Sequence, residues 1–314
     1  MNIKPIIPFE PTISSHIPDS AEWISQIKWD GVRILTYYNR NELRLFNRKC
    51  RERTQHFPEL HALQTSASSL ILDGEVIALD EKERPSFHEV MRRDAIRRMD
   101  RIPQMTHTVP VYYMVFDILF VNEKWVHALP YKERMDLLRK YIEPTPTIQL
   151  VPSYNNGHAL FDVVKQHGME GIVSKNVNSP YVINGKNDNW RKIKNYKDII
   201  AVIGGVIYRS GIVNSVLVGM YDEKSDLVYI GHVGAGKLTN KDWHTLTRLI
   251  EPLITSTSPF PHGAEIRKDT VWVVPKLTVK IQYLEWKNSL RQPSIQAFID
   301  VPPKSCILPH KEDR

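Results

Sequence analysis

The chain is 314 residues long, with 42% hydrophobic and 25% charged residues, ordinary values for a folded protein with room for one large or two medium cores. Lys and Arg total 42 against 35 Asp and Glu, and the net charge of +7 favours a polyanionic partner. No apolar run approaches the roughly 18 to 20 residues that span a membrane, Met1 to Glu10 offers no apolar signal-peptide core, and the two distant cysteines, Cys50 and Cys306, exclude a cysteine zinc site and a disulfide framework, predicting a reducing, cytoplasmic setting.

Residues 1–20 are Pro-rich and aperiodic, which predicts an extended lead-in packed on the surface. Trp23-Ile24-Ser25-Gln26-Ile27 alternates apolar and polar residues, and 32–38 is β-branched and aromatic, so both read as strands. Between them, Lys28-Trp29-Asp30-Gly31 places a lysine where a strand ends and the chain turns. Further strands are expected at 42–46, 70–79, 111–121, 171–175 and 190–194, and helices at 86–99, 131–142 and 159–166, the last closed by Gly168. Their irregular order predicts an α+β domain over a doubly wound parallel sheet. Beyond 197 the runs 199–209, 215–221, 227–233, 271–274 and 278–286 are short and β-rich, with one helix at 241–254; a small OB-type barrel is the economical solution. The boundary is expected near 197–200, dividing 1–198 from 199–314.

Several residues are out of place for a plain scaffold. Leu72-Asp73-Gly74-Glu75 buries acids in an apolar run, where acids belong only if paired or bound. Glu170-Gly171-Ile172-Val173-Ser174-Lys175 sets an acid and a lysine five apart, on opposite faces of a regular strand; if both point into one site, Gly171 must re-aim Glu170. In Trp190-Arg191-Lys192-Ile193-Lys194, Lys192 and Lys194 share a face and repel unless an anion lies between them. The stretch 92–101 holds five arginines and two aspartates, and helical spacing would line up Arg93, Arg97 and Arg101 as a basic stripe, either solvated or gripping phosphates.

The order Lys28-Trp29-Asp30-Gly31-Val32-Arg33, Phe46-Asn47-Arg48, Leu72-Asp73-Gly74-Glu75, Phe116-Asp117-Ile118-Leu119, Glu170 to Lys175 and Trp190 to Lys194 resembles the ATP-dependent DNA ligases of the covalent nucleotidyltransferase superfamily. Trp272-Val273-Val274-Pro275-Lys276-Leu277 and Leu290-Arg291-Gln292-Pro293 are similar to the OB-domain signatures of bacterial ligases related to non-homologous end-joining enzymes. The resemblance implies an adenylation domain followed by an OB-fold domain and a three-step reaction: Lys28 takes AMP from ATP, AMP passes to a DNA 5′-phosphate, and the 3′-hydroxyl displaces it to seal a nick. It makes Lys28 the nucleophile, Gln26, Ile27, Arg33, Arg48, Glu75, Phe116, Lys175, Lys192, Lys194 and Arg291 nucleotide contacts, and Glu170 with Glu75 the site of Mg²⁺ or Mn²⁺. Phe116 would stack on adenine, Arg33 and Arg48 would bind ribose or phosphate, and Arg291 would orient pyrophosphate. Neighbouring cations at Lys175, Lys192 and Lys194 would favour an unprotonated Lys28.

Three positions depart from the family pattern. Gln26 stands where many members carry Glu, and its amide oxygen still accepts a hydrogen bond. In Ile230-Gly231-His232-Val233-Gly234-Ala235-Gly236-Lys237, Ala235 and Lys237 replace the usual Thr and Phe. The implied partner is nicked double-stranded DNA, met by a monomer, with a Ku-type end binder as a candidate recruiter. The resemblance leaves replication, recombination, repair and phage maintenance open. An RNA ligase or capping guanylyltransferase is the enzymatic alternative, and a catalytically silent nucleic-acid-binding module the other.

Overall fold

The computed structural model describes residues 3–40, 42–234, 236–262 and 269–310. They form two compact units, Met1–Asn195 and Tyr196–Arg314. Counting strands of three residues or more, the first unit runs β1 (Glu10–Ile13), β2 (Trp23–Ile27), β3 (Val32–Asn39), β4 (Glu42–Asn47), β5 (Ser69–Ala78), α1 (Phe87–Asp94), α2 (Ile102–Thr108), β6 (Val111–Val121), α3 (Tyr131–Tyr141), β7 (Ile148–Leu150), α4 (Gly157–Gln166), β8 (Gly171–Asn176) and β9 (Lys186–Lys194). The second runs β10 (Lys197–Arg209), β11 (Ile212–Tyr221), β12 (Leu227–Val233), α5 (Asn240–Ile250), β13 (Thr270–Val273), β14 (Thr278–Tyr283) and β15 (Ser294–Ile299).

Two sheets make the first unit. A small one has the order β1-β9-β8-β2, and a larger one the order β7-β6-β5-β3-β4. The larger sheet carries the main core, in which Ile34, Leu35, Leu45, Leu70, Ile71, Leu72, Val115, Ile118 and Leu119 are all fully buried. The apolar runs expected at 70–79 and 111–121 are thus its central pair, and α3 packs its Tyr131, Met135 and Leu138 onto β6. Helix α4 covers the small sheet with Leu160 and Val164 against Ile172 and Ile193.

The second unit closes into a ring. Strand β10 pairs with β11 and β14, β11 with β12, and β14 with β15; a parallel bridge from Gly236 to Ile295 joins the chain after β12 to β15. The circuit β10-β11-β12-β15-β14, with α5 between its third and fourth strands in sequence, is the expected OB arrangement, but its last strand in sequence is β15 and not the run expected at 271–274, which forms β13 and pairs with β10 outside the ring. Gly236 has φ +158°, and a Cβ there would lie 2.0 Å from the Ile295 carbonyl oxygen. Only glycine allows that approach, so Gly236 closes the barrel, and Lys237 contributes its backbone N–H to the Ile295 carbonyl. Ala235 lies outside the described residues.

In the first unit three expectations need correction. The described part of the Pro-rich start, residues 3–20, is more than a surface lead-in: Phe9 is fully buried, its ring edge-on to Trp190 at 5.1 Å, and β1 joins the small sheet in parallel with β9. The periodicity of 1–20 is hidden because so short a strand, broken by Pro11, repeats nothing. The helix expected over 86–99 starts as foreseen, with Ser86 accepting from the Glu89 N–H, but stops at Asp94. The basic stripe therefore does not form. Arg93 is fully buried and bidentate to Glu59 (2.7 and 3.0 Å), and it donates further to the His56 and Val109 carbonyls at 2.7 and 2.9 Å. Its fork of donors ties α1 to the segments on either side, which spacing along one helix cannot reveal. Arg97 lies beyond the helix and is exposed.

Replacing Arg93 by Ala strands the Glu59 carboxylate and two carbonyls, so unfolding free energy should fall by about 3 kcal/mol or more. Denaturant unfolding of the Arg93→Ala variant beside the unaltered protein measures this difference.

Candidate active site

A cleft of ≈ 600 Å³ opens between the two sheets of the first unit. The small sheet lines it with Gln26, Ile27, Val173, Lys175, Trp190 and Lys192, and the larger one with Val32, Arg33, Glu75 and Phe116. Lys28 sits in the cleft one residue past β2, held by its N–H on the Gly171 carbonyl at 2.9 Å. Gly171 has φ +150°, and a Cβ there would stand 2.1 Å from the Ile193 carbonyl oxygen. The expected bend is real. It turns Glu170 so that its Oε2 lies 2.5 Å from the Lys28 Nζ and its Oε1 3.5 Å from the Lys194 Nζ. Gly31 serves a different need from a turn: a Cβ would meet the Val76 carbonyl oxygen at 2.2 Å, so glycine lets the start of β3 lie close on β5.

Phe116 reaches the cleft through a bulge. In the β5–β6 ladder Asp73 faces Asp117 and Gly74 faces Val115, which leaves Phe116 as the extra residue. The Arg33 guanidinium lies 5.4 Å and the Lys175 ammonium 4.4 Å from its ring centroid. Lys175 is 2% exposed, enclosed by Trp190 at 3.9 Å, Phe116 and Tyr131 at 4.8 Å, and it donates to the Phe116 carbonyl at 3.4 Å. Burial pushes its pKa down to about 7, against the pull of Asp117 and Asp73. It lines the cleft as a caged cation, with its ammonium committed to that cage.

The remaining candidates differ in how free they are. Arg33 is bidentate to the fully buried Asp73 (2.9 and 2.6 Å), and Tyr181 donates to the same carboxylate at 2.7 Å. Burial works against the Arg33 charge, yet Asp73 and Tyr181 hold the guanidinium above its ordinary value. Glu75 is desolvated, which pushes its pKa up to about 8 despite nearby Lys28 and Arg33; Glu170 adds to the rise. Lys192 is lowered by burial first and then by Lys194 and Lys28, the repulsion that two lysines on one strand face entail. Gln26 is 2% exposed, and its amide nitrogen donates to the Val151 carbonyl and the Ser153 hydroxyl, both at 3.2 Å. Arg48 is on the cleft rim, its Nε 3.1 Å from Glu10. Arg291 belongs to the second unit, in the short strand Leu290–Arg291, 3.4 Å from Glu285.

For a divalent cation the candidates are Glu170 and Glu75, two carboxylates beside Lys28. Among the described residues no group of three or more His, Cys, Asp or Glu is placed to hold a metal. That donor set fits Mg²⁺, which takes one or two carboxylates and completes its shell with water and phosphate oxygens. Sequence reasoning passed over Glu10, Trp29, Val151 and the pairing role of Asp73, all of which border or brace the cleft. Asp73 carried a signal, a buried acid in an apolar run; Glu10 carried none.

A family model described as ATP dependent DNA ligase domain matches residues 9–194, and one described as ATP dependent DNA ligase C terminal region matches 209–299. The chain belongs to the ATP-dependent DNA ligase family. As a DNA ligase it is similar to the multifunctional non-homologous end joining DNA repair protein LigD of Mycobacterium tuberculosis, at 29% identity over 93% of this chain and 38% of that protein. The bifunctional LigD of Bacillus subtilis is 28% identical over 92% of this chain and 48% of its own length. The ligase thus spans less than half of either relative. Its fold is similar to that of the ligase domain of M. tuberculosis LigD, with a TM-score of 0.54, 26% identity and coverage of 97% and 98% of the two chains. A mycobacterial DNA ligase D complexed with ATP and MES gives 0.53 at 26% identity, covering 96% and 97%.

Because Glu75 is raised in the folded protein, the unfolded chain releases this proton first, and stability falls as pH rises from the ordinary carboxylate range toward about 8. Glu75→Gln removes that loss. The difference in unfolding free energy between pH 5 and pH 8 should shrink in the variant by about 1 kcal/mol or more, as read by urea titrations at the two pH values.

Proposed function

We propose that this ligase seals nicks between a 5′-phosphate and a 3′-hydroxyl in duplex DNA through a covalent lysyl-AMP on Lys28. The observation that carries the reading is Lys28 itself: a lysine at the floor of a nucleotide-sized cleft, held by Glu170 and surrounded by cations suited to phosphates. In this reading Lys28 Nζ attacks the α-phosphorus of ATP, a P–N bond forms, and pyrophosphate leaves. The 5′-phosphate oxygen of DNA then takes the AMP and frees Lys28, and the 3′-hydroxyl displaces AMP to close the backbone.

The side chains divide that work. Phe116 offers a ring face to adenine. Both N–H groups of the Gln26 amide are spent on Val151 and Ser153, so its carbonyl oxygen is what it offers a base, an acceptor suited to the adenine amino group. Ile27 and Val173 supply apolar walls, and Arg33, fixed by Asp73, presents a preset guanidinium toward ribose or phosphate. Lys192 and Lys194 neutralise phosphate charge, which is most of what phosphoryl transfer asks of a protein. Glu170 keeps Lys28 in place before attack and must release it. Glu170 and Glu75 would hold a divalent cation, which would supply positive charge to screen the phosphates. Arg291, carried by the OB unit, is assigned to the pyrophosphate.

The relatives named for non-homologous end joining support DNA repair as the pathway; a Ku-type end binder as recruiter is a further part of this reading. The ligase as a monomer on nicked DNA is the working unit.

Labelled ATP should transfer AMP to the protein, and Lys28→Ala should abolish that adduct while retaining some sealing of DNA adenylated beforehand. An adduct that persists on the Ala variant would sink the assignment of the nucleophile.

A further inference from the structure

The cleft mouth is cationic, yet one carboxylate faces it. Arg48, Lys49, Arg51 and Arg53 line the rim. Of the acids that also line it, Asp94 is held by Arg53 at 2.7 Å, and Glu75 is raised toward the neutral form. Glu10 is different. Its Oε1 lies 3.1 Å from the Arg48 Nε, with the two side chains 29% and 59% exposed, and its charge also acts on Lys192.

The two partners stand on different sheets. Glu10 begins β1, the edge strand of the small sheet, with its N–H on the Gly185 carbonyl at 2.9 Å. The residue before it, Phe9, is buried in the core with its N–H on the Tyr181 hydroxyl. The carboxylate therefore has a fixed base. Arg48 directly follows β4, the edge of the larger sheet, in a turn where the Asn47 side chain accepts from the Lys49 and Arg51 N–H groups at 3.0 Å. The ion pair thus bridges the opening between the sheets, and its more exposed member is the arginine.

We propose that Glu10 is a positioning residue that competes with phosphate for Arg48. With no phosphate present it holds the guanidinium across the mouth; an arriving phosphate, of the nucleotide or of the DNA 5′ end, must displace it. The proposal rests on the nucleotidyl-transfer reading of the cleft. An exposed pair of this kind is weak, which suits a contact that has to exchange.

The test compares the full chain with Glu10→Gln, Glu10→Asp, Arg48→Ala and the Glu10→Gln/Arg48→Ala double variant in two assays. One measures lysyl-AMP formation against ATP concentration; the other measures binding of nicked DNA bearing a 5′-phosphate or a 5′-hydroxyl. Glu10→Gln should lower the half-saturating ATP concentration, or tighten binding of 5′-phosphate DNA alone, by about two- to five-fold. The assay that responds identifies the phosphate source. Glu10→Asp should stay near the unaltered protein, and the gain should vanish in the Arg48→Ala background. No change in either assay, or a gain that survives loss of Arg48, overturns the proposal. If the unaltered protein forms no adduct at all, the underlying reading falls with it, whereas a normal adduct with a silent Glu10→Gln removes this proposal alone.

Discussion

The first unit depends on how one buried charge is satisfied. Asp73, fully inaccessible in the middle of the larger sheet, accepts two bonds from Arg33 and one from Tyr181. An unpaired carboxylate there would cost several kcal/mol, so these partners are obligatory. Arg33 comes from the adjacent strand, Tyr181 from the approach to β9, and the Tyr181 hydroxyl in turn receives the Phe9 N–H. One acid therefore joins both sheets and the N-terminal strand, and it does so beneath the cleft. A second pair, Arg134 with Asp117, is buried completely and clamps α3 to β6 beside Phe116. The floor of the site is made of solved electrostatic problems, and its rigidity follows from them.

Above that floor the charges are deliberately unsettled. Glu170 is shared between two ammonium groups, Glu75 is desolvated, Lys192 is crowded by Lys194, and Lys175 is stripped of water inside three aromatic rings. None of these charges is settled by one matched counter-charge, and a polyphosphate with its counter-charges is the kind of ligand that relaxes all of them together. Stability and function divide along this line: fully paired ions underneath, frustrated ions at the surface of the cleft.

What could be read from sequence follows the reach of each interaction. Lys28, Glu170, Gly171 and the 190–194 strand announced themselves because the oddity lies within a few residues, an acid before an apolar run or two lysines on one face. The α+β unit, four strands of the ring and its single helix were legible from period and turn signals, whereas β15 was missed and the run 271–274 was expected in its place. Arg93 misled because neighbouring arginines look alike on a helical projection, while its true partner, Glu59, is remote in sequence. Strand β1 and Glu10 were silent for a related reason. Their meaning comes from β9 and Arg48, and pairing across such distances leaves no local pattern.

The bulge at Phe116 shows where the information for the ring is stored. Asp73 pairs with Asp117 on one side of it and Gly74 with Val115 on the other, so the ladder is one residue out of step across that point. The aromatic is therefore aimed by a count of residues, and its own contacts come second. Shorten β6 by one residue there and the same pairs would meet in even step on their present faces, with no extra residue left to enter the cleft. Length, at this position, is as much a part of the site as chemistry.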